Sequence, residues 1–76
     1  MEGNEPMTKV DSTMTTAAIL ADYRLDRARD RSRKALRAFE NDEITHYELR
    51  EAFEEVAIHR AEVAFIQAEM AALQEL

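Results

Sequence analysis

The feature that most constrains the fold is the near absence of residues that interrupt helices. The chain has one glycine, Gly3, and one proline, Pro6, so residues 7–76 contain neither type. Several strands joined by tight turns would need more of both residues. Alanine, leucine, arginine and glutamate, which all favour helix, dominate the rest of the sequence. The sequence therefore predicts an all-α protein.

The boundaries of the elements follow from local chemistry. Residues 1–14 hold both breakers and show no apolar period, which predicts a flexible N-terminal arm. Residues 15–76 form the predicted helical hairpin. Helix 1 covers about residues 16–40, with Thr15 or Thr16 as its N-cap. A turn at 41–44 follows, in which Asn41 takes the left-handed conformation, and helix 2 covers about residues 45–75.

The start of helix 2 carries the sharpest local signal. Thr45 and Glu48 stand three residues apart as in a capping box, where each side chain satisfies the other residue's free backbone N–H. The run 41–49 resembles the hinge of many helical hairpins. That resemblance covers turn and cap chemistry, so it implies a fold and no functional residue.

Apolar residues recur in helix 2 at alternating spacings of three and four, as in a coiled coil. This predicted seam contains Leu49, Ala52, Val56, His59, Val63, Ile66, Met70 and Leu73. The same spacing in helix 1 selects a seam of mostly small residues: Ala18, Ala21, Leu25, Ala28, Ser32, Ala35 and Phe39. Large side chains of one helix can fill the space beside small ones of the other. The pattern predicts an antiparallel, coiled-coil-like two-helix hairpin.

Charged residues beside the two seams support the same register. Folding the chain at 41–44 brings Arg24 near Glu62 and Arg31 near Glu55. Residues 15–40 have a net charge of +3, whereas residues 45–76 have −5. These helix-pairing charges favour two segments that pair with each other.

Some large apolar residues lie outside both seams and would remain exposed in an isolated hairpin. The predicted partner or dimer patch contains Ile19, Leu20, Tyr23, Ile58, Phe65 and Leu76. A second copy of the chain could cover this patch and form a four-helix bundle, so we expect a homodimer. Docking of a different protein is the alternative.

We therefore predict a small acidic helical module, an adaptor or inhibitor, that acts by binding a partner protein. One alternative is a phage-type inhibitor, such as an anti-CRISPR, whose acidic surface mimics nucleic-acid phosphates. That surface would consist of Glu48, Glu51, Glu54 and Glu55. A second alternative is a nucleic-acid-associated regulator that uses the arginine-rich helix 1. The net charge of −6 and the aspartates interleaved among those arginines disfavour nucleic acid as a partner.

The sequence offers little catalytic chemistry. No cysteine is present, no glycine-rich phosphate loop occurs, and no nucleophile stands in a recognisable set with a base and an acid. His59 lies near Glu55 and Glu62, but both carboxylates fall on the flank of the seam, so we expect no metal site. We expect no enzymatic activity and no cofactor. With no visible export signal or membrane span, the predicted location is the cytoplasm.

Overall fold

A computed structural model describes residues 12–75 as two helices. Helix α1 is Ser12–Glu40 and helix α2 is His46–Gln74, each 29 residues long. They pack side by side and run in opposite directions. Ion pairs from Arg24 to Glu62 and from Arg31 to Glu55 show this direction. The described residues contain no strand. The prediction of an all-α helical hairpin is confirmed.

Helix α1 begins earlier than the sequence predicted, at Ser12 rather than near residue 16. Met14 is half-buried and stands four residues before the seam residue Ala18, so it extends the seam toward the start of the helix. Burial of Met14 offsets the modest helix propensity of the surrounding threonines. The predicted arm thus overlaps α1 over residues 12–14. Its remaining part, residues 1–11, lies outside the described residues.

The turn between the helices is built by a Schellman motif at the end of α1. The backbone N–H of Glu43 donates to the carbonyl of Ala38 at 2.8 Å, and that of Asp42 donates to Phe39 at 3.0 Å. These two bonds satisfy carbonyls that the helix end would otherwise leave free. The left-handed residue is Asp42, with φ of 59°. The prediction of Asn41 in that conformation was therefore wrong by one residue.

Asn41 continues the helical hydrogen bonding instead. Its N–H donates to the carbonyls of Arg37 and Ala38 at 3.1 and 3.2 Å. Aspartate and asparagine are the non-glycine residues that tolerate a left-handed backbone best. Residue type alone therefore did not distinguish Asn41 from Asp42, and the Schellman bonds settle which one adopts this conformation.

The predicted capping box at the start of α2 is confirmed. Thr45 is the N-cap, and its side-chain oxygen accepts a hydrogen bond from the Glu48 N–H at 3.2 Å. In return, the Thr45 N–H donates to the Glu48 carboxylate at 2.9 Å. Ring packing beside the turn adds a second link, since Phe39 and His46 meet edge to face with centroids 6.2 Å apart. The direction of α2 is therefore fixed at its first turn.

The core follows the two predicted seams. Its buried hydrophobic residues are Ala21, Leu25, Ala28, Leu49 and Val56. Every other predicted seam residue is buried or half-buried. Ala21 and Ala28 have no exposed surface, so the helices meet where the α1 side chains are smallest.

One polar residue, Ser32, is buried in the seam. Its hydroxyl donates to the carbonyl of Arg29 at 2.8 Å, a bond within α1. The polar group is therefore satisfied without a partner from α2, and Ser32 behaves as another small seam residue.

Candidate functional site

The two interhelical ion pairs lie on one long side of the hairpin, which we call the ion-pair face. Arg24 Nη1 is 3.2 Å from Glu62 Oε2. Arg31 contacts Glu55 Oε1 through Nη2 at 2.9 Å and through Nε at 3.2 Å. These are the pairs that the fold-back register predicted. Their side chains are about half exposed, so each pair contributes only about 0.2–1 kcal/mol and mainly fixes the register.

On the α1 side of the ion-pair face, an arginine holds an exposed tyrosine in place. Arg27 Nη1 donates to Tyr23 Oη at 3.0 Å, and its guanidinium carbon lies 5.8 Å from the centre of the tyrosine ring. Tyr23 is 57% exposed. Together with Arg24, Arg31 and His59, these two residues line a depression of about 370 Å³. The contacts fix the orientation of a large aromatic side chain that stays exposed to solvent.

On the α2 side, two large apolar side chains stand seven residues apart, or about two helical turns. Ile58 is 63% exposed and Phe65 is 66% exposed. Ile58 lines a shallow depression with Glu51, Glu54 and Glu55. Because both residues sit on a helix already packed along its seam, folding of the single chain leaves them in water.

The structure divides the predicted apolar patch. Leu20, Tyr23, Ile58 and Phe65 lie on the ion-pair face or at its edge. Ile19 is also exposed but points about 100° away from Leu20, toward the opposite side of the hairpin. The sixth predicted member, Leu76, lies outside the described residues.

The opposite side holds apolar residues that the sequence reasoning did not single out. Phe53 and Leu36 are 47% and 41% exposed. Phe53 belongs to a depression of about 390 Å³ that is lined by His46, Leu49, Arg50, Phe53, Glu54 and Ala57. Their positions in the sequence could have predicted this pair. Leu36 and Phe53 each follow a seam residue by one position, and they become level with each other when the chain folds back.

The predicted acidic surface is only partly free to bind anything. The Glu48 carboxylate is engaged in the capping box and that of Glu55 in the pair with Arg31. Glu51 and Glu54 have no ion pair among the described residues. The fold thus uses two of the four carboxylates that phosphate mimicry would require.

The basic residues of α1 are similarly engaged. Four of its seven basic side chains contact carboxylates: Arg24 and Arg31 across the hairpin, and Arg33 and Lys34 at Asp30. Lys34 Nζ lies 3.1 Å from Asp30 Oδ2. This hydrogen bond, with the charges of Lys34, Arg33 and Arg27, lowers the pKa of Asp30 below its ordinary value of 3.8. A continuous basic track for a phosphate backbone is therefore interrupted.

His59 is half-buried in the seam, and its Nδ1 lies 3.2 Å from Glu62 Oε1. Glu62 is also the ion-pair partner of Arg24, so its carboxylate contacts one side chain from each helix. Within residues 12–75, no group of three or more histidine or carboxylate side chains is arranged to hold a metal ion. Neither described helix has a stretch apolar and long enough to cross a bilayer.

Comparisons with protein-family models, with curated proteins and with solved structures find no match for this chain.

Proposed function

We propose that this chain is a protein–protein interaction module whose binding surface is the ion-pair face. The observation that carries the proposal is the exposure there of Leu20, Tyr23, Ile58 and Phe65, between 44% and 66% of each residue. Only five hydrophobic residues are buried among the described ones. A hairpin this small gains little stability from its own core, so covering the exposed side chains adds apolar burial that the single chain lacks.

The shape and chemistry of this surface favour a helical protein as the partner. Its depressions are shallow, and they run along two antiparallel helices instead of enclosing a small molecule. Apolar residues alternate with both signs of charge, a mixture that suits another amphipathic helix. The commonest way for a two-helix chain to complete a core is to pair with a second copy, which yields a four-helix bundle. We propose this dimer as the functional assembly.

The test places a charge at the centre of the exposed apolar surface. Phe65→Glu should leave the helix content by circular dichroism nearly unchanged, because Phe65 lies outside the seam. It should weaken self-association by at least about 100-fold, since the new carboxylate would have to be buried in the interface. Size exclusion with light scattering, over a series of protein concentrations, measures this shift from dimer to monomer.

Ala64→Glu provides the matched control. It adds the same charge to the same exposed turn of α2 but points away from the ion-pair face. This variant should associate like the parent chain. A parent chain that remains monomeric at every concentration, or a Phe65→Glu variant that associates normally, would contradict the proposed dimer. The free carboxylates of Glu51 and Glu54 would then be the surface to test next.

A further inference from the structure

We propose that the partner on the ion-pair face is a second copy related by a two-fold axis parallel to the helices. Helix α1 of each protomer then lies against α2 of its partner. This inference rests on the proposed function, and it adds the symmetry and the residue pairs of the interface. Apolar and charged residues follow a fixed order along the two edges of the face, and this order distinguishes one symmetry axis from another.

Each helix contributes one column of outward-facing residues to the ion-pair face, and each column has the heptad spacing of seven residues. On α1 the column is Leu20, Arg27 and Lys34. On α2 it is Phe65, Ile58 and Glu51. Thus the α1 column is apolar and then basic, whereas the α2 column is apolar and then acidic.

The ion pairs give the relative heights of the two columns. Arg24 is level with Glu62, and Arg31 is level with Glu55. Leu20 and Tyr23 are therefore level with Phe65, at the open end of the hairpin. By the same register, Lys34 is level with Glu51, near the turn. The apolar ends of both columns coincide, and so do their charged ends.

A two-fold axis parallel to the helices preserves these heights and exchanges the two columns. Leu20 and Tyr23 would meet the partner's Phe65, and Lys34 would meet the partner's Glu51. Arg27 would lie against the partner's Ile58, where its aliphatic stem can pack while its charged end stays in water. Apolar groups thus meet apolar groups near the open end, opposite charges meet near the turn, and only the middle level pairs an arginine with an apolar side chain.

An axis across the helices gives the opposite result. It places α1 on the partner's α1 and α2 on the partner's α2. The basic side chains that α1 presents on this face, Arg24, Arg27, Arg31 and Lys34, would then face the same basic set of the partner, and the glutamates of α2 would face glutamates. Like charges brought together in this way disfavour association, so the charge order selects the parallel axis.

The chain contains no cysteine, which allows a direct test with single introduced thiols. Lys34→Cys and Glu51→Cys chains are mixed in urea, refolded together and treated with a short bis-maleimide. Both positions are exposed, so both variants should fold. We expect a covalent dimer from the mixture and none from either variant alone. An Arg29→Cys and Ala57→Cys mixture, on the opposite side of the hairpin, should give none.

The outcomes separate this inference from the proposed function. A parent chain that is dimeric by light scattering, without a cross-link in the Lys34→Cys and Glu51→Cys mixture, overturns the parallel axis. A covalent dimer from Lys34→Cys alone also overturns it. Cross-linking of the Arg29→Cys and Ala57→Cys mixture overturns the choice of face. A parent chain that is monomeric at every protein concentration would contradict the proposed dimer itself.

Discussion

The two helices have equal length but opposite surface chemistry. Outside its seam, helix α1 carries seven basic and four acidic side chains, and its large exposed apolar residues are Ile19, Leu20, Tyr23 and Leu36. Helix α2 has apolar residues on its seam and on its outer sides as well. Those outer residues include Ala57, Ile58, Ala61, Ala64, Phe65, Ala68, Ala71 and Ala72. Outside the seams, α1 is therefore the more charged helix and α2 the more apolar one.

This difference assigns separate tasks to the helices. Helix α1 supplies small seam residues that let α2 approach closely, and its arginines fix the register. Helix α2 supplies the larger seam residues and still presents Ile58 and Phe65 to solvent. We therefore expect substitutions in the seam of α1 to affect mainly the folding of the hairpin. Substitutions on the outer side of α2 should affect mainly association.

The largest effect should come from the one large buried side chain of α1. Leu25 is 6% exposed and packs with Ala28, Val56 and Val63. Leu25→Ala leaves a cavity in a core with few other large residues and should cost about 2–5 kcal/mol. For a hairpin of this size, that loss is enough to unfold much of the population at 25 °C. Circular dichroism and urea unfolding measure it.

Leu36→Ala is the matched control, because it removes the same atoms from a site on the same helix that is 41% exposed. It should cost much less, about 1 kcal/mol or below. Both variants are compared at one protein concentration, since dimerisation adds to apparent stability. If both variants lost the same free energy of unfolding, the stability of the hairpin would not depend on burial in the seam of α1.

An intermediate effect should come from the turn, where α2 begins with a complete capping box. Thr45→Ala leaves the Glu48 N–H without its side-chain acceptor and should cost about 0.5–2 kcal/mol. Thr45→Ser keeps the hydroxyl and should restore most of that stability. Thermal unfolding of the three proteins provides the measurement. Coinciding melting curves for Thr45→Ala and the parent would mean that packing against α1, and not the cap, determines where α2 starts.

Much of this fold could be predicted because it is governed by local and periodic rules. The capping box needs only Thr45 and Glu48 at the right spacing, and the seam needs only the three-four repeat. The early start of α1 was missed because it depends on burial of Met14 and not on the propensity of its neighbours. The left-handed turn residue was misplaced because Asn41 and Asp42 are both suited to it.

The candidate surfaces were harder to predict than the fold. A helical repeat shows which residues leave the seam, but the side of the hairpin that each one faces depends on the final register. For this reason the predicted patch combined Ile19 with residues of the ion-pair face. Leu36 and Phe53 were missed because each is isolated within its own helix, and only the fold-back makes them level.

The smallest effect per substitution should come from the charges that align the helices. Glu55→Arg with Glu62→Arg removes both interhelical ion pairs and places arginines opposite arginines. Each exposed pair is worth about 0.2–1 kcal/mol, so the double variant should lose about 1–2 kcal/mol once repulsion is included. Adding Arg24→Glu and Arg31→Glu rebuilds both pairs with reversed polarity. The quadruple variant should therefore recover part of the loss in urea unfolding.

Full recovery is not expected, because the reversal changes more than the two pairs. Glu62 also contacts His59 Nδ1 at 3.2 Å, and an arginine at position 62 cannot accept that hydrogen bond. Exchanging only Arg31 and Glu55 leaves His59 untouched, so that simpler exchange should recover a larger share of its own loss. No recovery in either set would mean that these charges do not face each other across the hairpin. The antiparallel register that orders both columns of the ion-pair face would then be wrong.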